Sequence, residues 1–331
     1  MTTKDPFMRL ILLIVALLYF QTASADVAPR TTATPLPGAG PFEIRTQSPI
    51  QSLRYSVKIR DPRRENVPHN SYWAYINSAS IWTHSDEYSM DYYTSDYQLG
   101  WQREWQYGLK TELAFTQRNT NLVKLDQLTL SFHKAFGLSQ NGRDRVPKHQ
   151  YTYWFRDYDI NETGFKNNIF SRAVEFYISK NLYQDKTQSL SIGHISHYEE
   201  QSGHRGWDFA GQIDYYYSFN EYHQLYASLA HSRFHSENFF KLPLKDELST
   251  LGLSYEYQPT SDRSWVVQYL LNEGATKKLG QLGQLSHELL LGHRWIIDNH
   301  QLEVAMIENL INPDNSADIA FSIVYRYKPN L

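Results

Sequence analysis

The chain has 331 residues, with 32 Lys and Arg against 35 Asp and Glu, a formal net charge of −3 and no cysteine. That balance excludes a strongly basic nucleic-acid binder, and the missing cysteines exclude a disulfide-stapled secreted domain. Aromatic residues make up 15% of the chain, including 25 Tyr and 8 Trp. Beyond the N-terminus no apolar run approaches the roughly 20 residues of a membrane-crossing helix.

Lys4 and Arg9 precede the apolar run Leu10 to Phe20, and Ala23-Ser24-Ala25 stands before Asp26. A basic start, an apolar stretch of roughly 7–15 residues and a small-x-small exit read as a cleaved signal peptide over 1–25. Residues 26–41 are rich in Pro, Thr, Ala and Gly and read as a flexible leader that cannot bury a core. The remainder, 42–331, is expected to be one barrel domain.

From Ser71 to Lys328 short segments alternate with period two. Leu251, Leu253, Tyr255 and Tyr257 share one face, with Gly252, Ser254 and Glu256 on the other. The same alternation runs through Tyr97 to Trp101, Leu109 to Phe115, Val174 to Ile178, Trp265 to Leu271 and Ile319 to Tyr327. Successive strand side chains point to opposite faces, so each segment has one apolar and one mixed face. The fold expected is all-β, an antiparallel transmembrane barrel of about 12 strands (range about 10–14), because strands of about 9–11 residues suit a tilted crossing. Aromatic ends would form interfacial girdles: Trp73 and Tyr75, Trp101 and Trp105, Tyr255 and Tyr257, Trp265, Trp295, Tyr325 and Tyr327.

Leu122 to Leu138 breaks the pattern, with Leu128, Phe132, Ala135 and Phe136 at helical spacing. Two readings stay open: a short helix near 126–137 that constricts the lumen, or an ordinary strand with a long turn. Gln98, Gln102, Lys110, Glu112, Glu175, Asp214, Glu256 and Arg326 fall on the polar faces. They are the candidate lumen-lining set, and charges of both signs there can either fill a narrow barrel or line a pore.

Several stretches together resemble a bacterial outer-membrane β-barrel family of unknown function, domain-of-unknown-function family 3187. They are Gly40-Pro-Phe-Glu-Ile-Arg-Thr-Gln-Ser-Pro49, Phe132-His-Lys-Ala-Phe-Gly-Leu138 with Gly142-Arg143, and Ser202-Gly-His-Arg-Gly-Trp-Asp208. Glu288-Leu-Leu-Leu-Gly-His-Arg-Trp295, Glu308 and Pro313-Asp314 to Phe321 complete the order. The resemblance implies an outer-membrane barrel with no established activity or catalytic residues. Membrane lipid and the barrel-assembly machinery are then the expected partners, with no nucleic acid and no cofactor. The expected role is structural or the passage of a small solute.

A second, local resemblance offers an alternative. Leu190, Ile192, His194 and Ser196 share a strand face, and Ser196 is followed twelve residues later by Asp208 within Arg205-Gly206-Trp207-Asp208. A His-x-Ser pair on a barrel strand resembles outer-membrane phospholipase A, a calcium-dependent serine hydrolase. On that reading His194 takes the Ser196 proton, Asp208 orients the imidazole, and Glu199 with Glu200 holds calcium. A metal site from His194, His197, His204 and Glu200 is not expected, because the odd separation sends His194 and His197 to opposite faces. His231 and His235 share a face but stand about 13 Å apart at roughly 3.3 Å per residue. His287 and His293 are expected to be isolated interfacial or lumen side chains.

Overall fold

This computed structural model describes residues 37–329 except 66, 121–122, 124, 138–139, 202–203, 236–237 and 240–241. The expected signal peptide over 1–25 and most of the leader lie outside the described residues.

The alternating segments form strands. In chain order they are β1 (His69–His84), β2 (Tyr88–Glu104), β3 (Leu109–Thr120), β4 (Thr152–Phe155), β5 (Ile160–Thr163), β6 (Ile169–Gln184), β7 (Gln188–Gln201) and β8 (His204–Ser218). Then follow β9 (His223–Arg233), β10 (Asn238–Phe239), β11 (Leu242–Pro243), β12 (Glu247–Thr260), β13 (Arg263–Asn272), β14 (Ser286–Ile297), β15 (His300–Ile311) and β16 (Ile319–Tyr327). Twelve of them make a closed antiparallel barrel in the order β1, β2, β3, β6, β7, β8, β9 and β12 to β16. β16 returns to β1, with Tyr72 opposite Tyr327 and Ser80 opposite Ile319. Closure pairs each of the twelve wall strands on both sides, as a lipid environment requires.

Burial is inverted relative to a water-soluble barrel. Leu99, Leu113, Phe176, Ile192, Ile213, Leu291 and Ile323 are exposed on the outer face, whereas Glu112, Asp214, Glu256, Gln268 and Arg294 are buried. An apolar exterior around a polar interior is what the bilayer selects. The turns at 105–108, 185–187, 219–222, 261–262 and 298–299 are short and share one end of the barrel with the start of β1 and the end of β16. Short turns mark the periplasmic end of such barrels. At that end His223 stacks against Tyr255 and Tyr257, and His293 lies between Trp265 and Trp295.

Two girdle expectations fail. Trp73 and Tyr75 point inward and are buried; the Trp73 indole donates to Gln98 and lies where a Cβ on Gly100 would stand. Parity decides this, since Tyr72 and Ile76 take the outer face of the same strand.

β1, β2 and β6 are 16, 17 and 16 residues long, beyond the about 9–11 that a crossing needs. The surplus rises at the long-loop end, where Tyr88 to Asp91 of β2 pair with β4. Tyr92 there meets Phe165 and Phe170 edge-on. The loop between β3 and β6 also carries the helix α1 (Asp126–Phe136), closed by Gly137 at φ 68°, whose N–H donates to the His133 carbonyl. That left-handed cap is where glycine is favoured. The helical reading of this stretch therefore holds, and α1 is tied to the rim at the long-loop end. His133 lies 3.2 Å from Glu308, and Arg143 behind it reaches Asp126, Asp318 and Asp91.

Candidate functional site

The lumen is occupied by the segment before β1, so 42–331 is not all barrel wall. Residues 37–50 run inward from the periplasmic end, Gln51–Leu53 form a 3-10 turn, and 54–65 return. At the turn the Arg54 guanidinium donates to the Lys245 carbonyl and covers the Phe234 ring at the long-loop end. At the other end the Asn181 amide donates to the Pro62 carbonyl and Gln184 bonds the Arg64 backbone.

This hairpin is extended but joins no sheet, so its backbone needs other partners. The inward side chains of the wall supply them. The N–H groups of Ala39 and Gly40 donate to Glu256 at 3.0 and 3.2 Å. Gln268 bonds both the N–H and the carbonyl of Phe42, and the Gln47 N–H donates to Glu288 at 2.8 Å. On the return limb Gln212 donates to the Lys58 carbonyl at 3.0 Å, and the Arg60 N–H donates to Ser228 at 3.2 Å. Two wall glycines give the hairpin room: a Cβ on Gly292 would stand 2.0 Å from Phe42, and one on Gly252 2.4 Å from Ile59.

Charge is divided between the two parts. The hairpin presents Arg45, Lys58 and Arg60 to wall carboxylates. Arg45 and Arg60 both pair with Glu175, and Lys58 and Arg60 both pair with Glu112. Lys58 also reaches Glu43 on the inward limb at 2.7 Å. Further round the wall, Arg294 joins Glu256 and Glu303, each at 2.8 Å, and donates to the Gly40 carbonyl at 3.0 Å.

All eight residues of the lumen-lining set face the interior. Glu112, Glu175 and Glu256 hold the hairpin as described. Lys110 pairs with Glu104 at 2.7 Å and donates to the Asp61 carbonyl, and Arg326 faces Glu43 at 3.5 Å. Gln98 bonds Trp73 and Thr116, Gln102 bonds Glu104, and Asp214 accepts from Gln212, Ser228 and Tyr177. Glu112, Glu175 and Arg326 pair with charges of the inserted chain, an arrangement that alternation in the wall strands does not reveal. The signal available in the sequence was the run of bases Arg45, Arg54, Lys58, Arg60, Arg63 and Arg64 in a segment without strand periodicity.

The hydrolase set does not assemble. His194 Nε2 lies 3.2 Å from Ser196 Oγ on the outer face. Asp208 is buried on the inner face, where it sits opposite His197 in register. Its Oδ1 accepts from the His235 N–H and lies 3.0 Å from His235 Nδ1. Ser196 is opposite Phe209, so the aspartate one residue earlier necessarily points through the wall. The same parity separates Glu199, buried within, from Glu200, which pairs with Arg205 outside, so the two cannot share a calcium ion. His231 lies against Ser249 and Glu247 while His235 meets Asp208, and His287 bonds Tyr269.

Among solved structures the chain is similar to the NanC porin, at 10% identity and a TM-score of 0.49 over 78% of this chain and 98% of that one. It is also similar to the Pseudomonas putida toluene transporter TodX, at 9% identity and a TM-score of 0.42 over 91% and 100%. The KdgM porin matches at 10% identity and a TM-score of 0.39 over 78% and 98%. No curated protein matches the chain. The family described as "Protein of unknown function (DUF3187)" matches residues 19–329, and the chain belongs to that family.

Proposed function

We propose that this outer-membrane barrel passes small cationic solutes and is held closed by its own N-terminal hairpin. The observation that carries the reading is the charge division: a basic strap neutralises an acidic wall through side-chain contacts alone. Among the described residues the strap joins the wall by no strand pairing, and its one covalent tie is the chain that leads into β1, so it can leave the lumen as a unit. Its withdrawal would strip Glu112 and Glu175 of their bases and leave them facing water, and unpaired wall carboxylates favour cations.

The test is a variant lacking residues 37–65, reconstituted in liposomes under a potassium chloride gradient. A cation-selective reversal potential is expected, reduced when Glu112→Gln and Glu175→Gln are added. Should the shortened chain fail to show the heat-dependent gel shift of a folded barrel, full-length Lys58→Ala/Arg60→Ala serves in its place. Anion selectivity, or no permeability in a correctly folded variant, would overturn the proposal and leave a structural barrel.

A further inference from the structure

The parity that separates His194 from His197 brings His197 and Glu199 to the same inner face, and Asp208 of β8 lies opposite His197 in register. One ligand atom from each of His197, Glu199 and Asp208 lies within 4.8 Å of the other two, and all three residues are buried. His197 is only 6% exposed, yet its Nδ1 makes no hydrogen bond. That nitrogen stands 3.6 Å from a Glu175 oxygen already engaged by Arg45, while Nε2 points to Glu199 at 4.0 Å. A buried imidazole nitrogen left with only a long, shared contact is poorly satisfied, and here the ring is wedged among carboxylates. Both contacts from His235 fall on Asp208 Oδ1, which fixes that carboxylate and leaves Oδ2 outside the pairing.

The hairpin tip rests on this cluster. The Tyr55 ring lies 4.9 Å from the His197 imidazole, and the Arg54 guanidinium covers the ring of Phe234, whose neighbour His235 holds Asp208, which sets its charge near the two carboxylates. We propose that His197, Glu199 and Asp208 bind a divalent transition-metal ion of the zinc class on the lumen wall, and that Arg54 competes with it for the two carboxylates.

One imidazole and two carboxylates form a three-ligand set that leaves a fourth position open. The imidazole favours zinc-class ions over calcium or magnesium, which take oxygen ligands. Ligand atoms of a tetrahedral site with bonds of about 2.0–2.1 Å stand about 3.3 Å apart, so side-chain rotation must draw these atoms inward. A bound dication and the guanidinium would repel each other, so ion binding and seating of the hairpin tip oppose one another. The inference does not depend on the barrel passing solutes.

The test is calorimetric titration of the full-length protein, folded in detergent, with zinc chloride and separately with calcium chloride. One zinc per chain is expected, with calcium much weaker. His197→Ala and Asp208→Asn should each weaken zinc binding by about tenfold or more. Arg54→Ala should tighten it severalfold, and His194→Ala on the outer face should leave it unchanged. If His197→Ala lacks the heat-dependent gel shift, His197→Gln replaces it. Absence of zinc binding by the wild type, or binding that survives both ligand substitutions, overturns the site. Unchanged affinity in Arg54→Ala overturns the competition.

Discussion

Arg60 bridges two carboxylates from neighbouring wall strands, donating through one terminal nitrogen to Glu112 of β3 and through the other to Glu175 of β6. All three side chains are nearly solvent-free, and the guanidinium also covers the Tyr177 ring at 3.8 Å. Removing one partner from a buried ion pair costs about 3–5 kcal/mol, because the remaining charge is stranded. Lys58 and Arg45 stay beside the two glutamates and offset part of that. Arg60→Ala is therefore expected to leave the wall intact and loosen the return limb. Trypsin cleavage within residues 43–64 of the folded barrel should accelerate tenfold or more; an unchanged rate would show that Arg60 does not hold the hairpin.

The wall glycines give a steric test that alters no charge. Gly292→Ala places a methyl group against Phe42 and within 2.9 Å of the Val304 carbonyl, and Gly252→Val fills the space of Ile59. Overpacking of this kind costs about 1–3 kcal/mol. Both variants should raise protease access to the hairpin while the heat-dependent gel shift persists. Protection equal to that of the wild type would place the hairpin elsewhere.

The cap over the long-loop rim should depend on pH. Burial pushes the Asp318 carboxyl up to about 6, against the pull of Arg143 and His133. Burial opposes protonation of His133, but Glu308 and Asp318 outweigh it and raise its pKa. Burial works upward on Asp126 as well, yet its bonds with Tyr93 and Arg143 hold it low. Asp91 faces the same Arg143 guanidinium, and His149 the same Asp126. A raised histidine stabilises the cap below about 6.5 and loses that effect as pH rises through its folded value; Asp318 likewise favours the folded loop as pH falls below about 6. Asp126 contributes above about 4 and is lost on further acidification. Amide exchange in α1 is therefore expected to be slowest between about pH 4 and 6 after correction for intrinsic rates. Protection that is flat from pH 5 to 8 would remove the cap from this account.

The His194–Ser196 pair should carry no lipid hydrolysis. With Asp208 on the far side of the wall, it cannot act as the acid that orients the imidazole, which instead stacks on Phe209, and Glu199 and Glu200 cannot share calcium. Purified protein with calcium and mixed micelles is expected to release no fatty acid above the background of Ser196→Ala. Turnover abolished by that substitution would restore the hydrolase.

Much of the barrel was legible because lipid imposes a strict period of two on every crossing strand. Leu251 to Tyr257 and Ile319 to Tyr327 declare their faces without any neighbour. The hairpin was not legible, since Phe42, Ile44 and Ile59 are buried by insertion, which leaves no periodic trace. Parity also misled where it was applied to one strand at a time. Ser196 and Asp208 belong to paired strands, so their faces depend on the register between β7 and β8. Trp73 was assigned by its aromatic character, when its facing glycine, Gly100, was the better guide.

Single-channel recording in planar bilayers shows whether the hairpin closes the lumen. The chain has no cysteine, so Ile59→Cys with Gly252→Cys supplies a sole disulfide pair between strap and wall. Steady, cation-selective conductance is predicted for the variant lacking residues 37–65, and almost none for the full-length chain or the oxidised double-cysteine variant. Equal conductance with and without the hairpin, or a silent hairpin-deleted barrel that is correctly folded, would contradict the account.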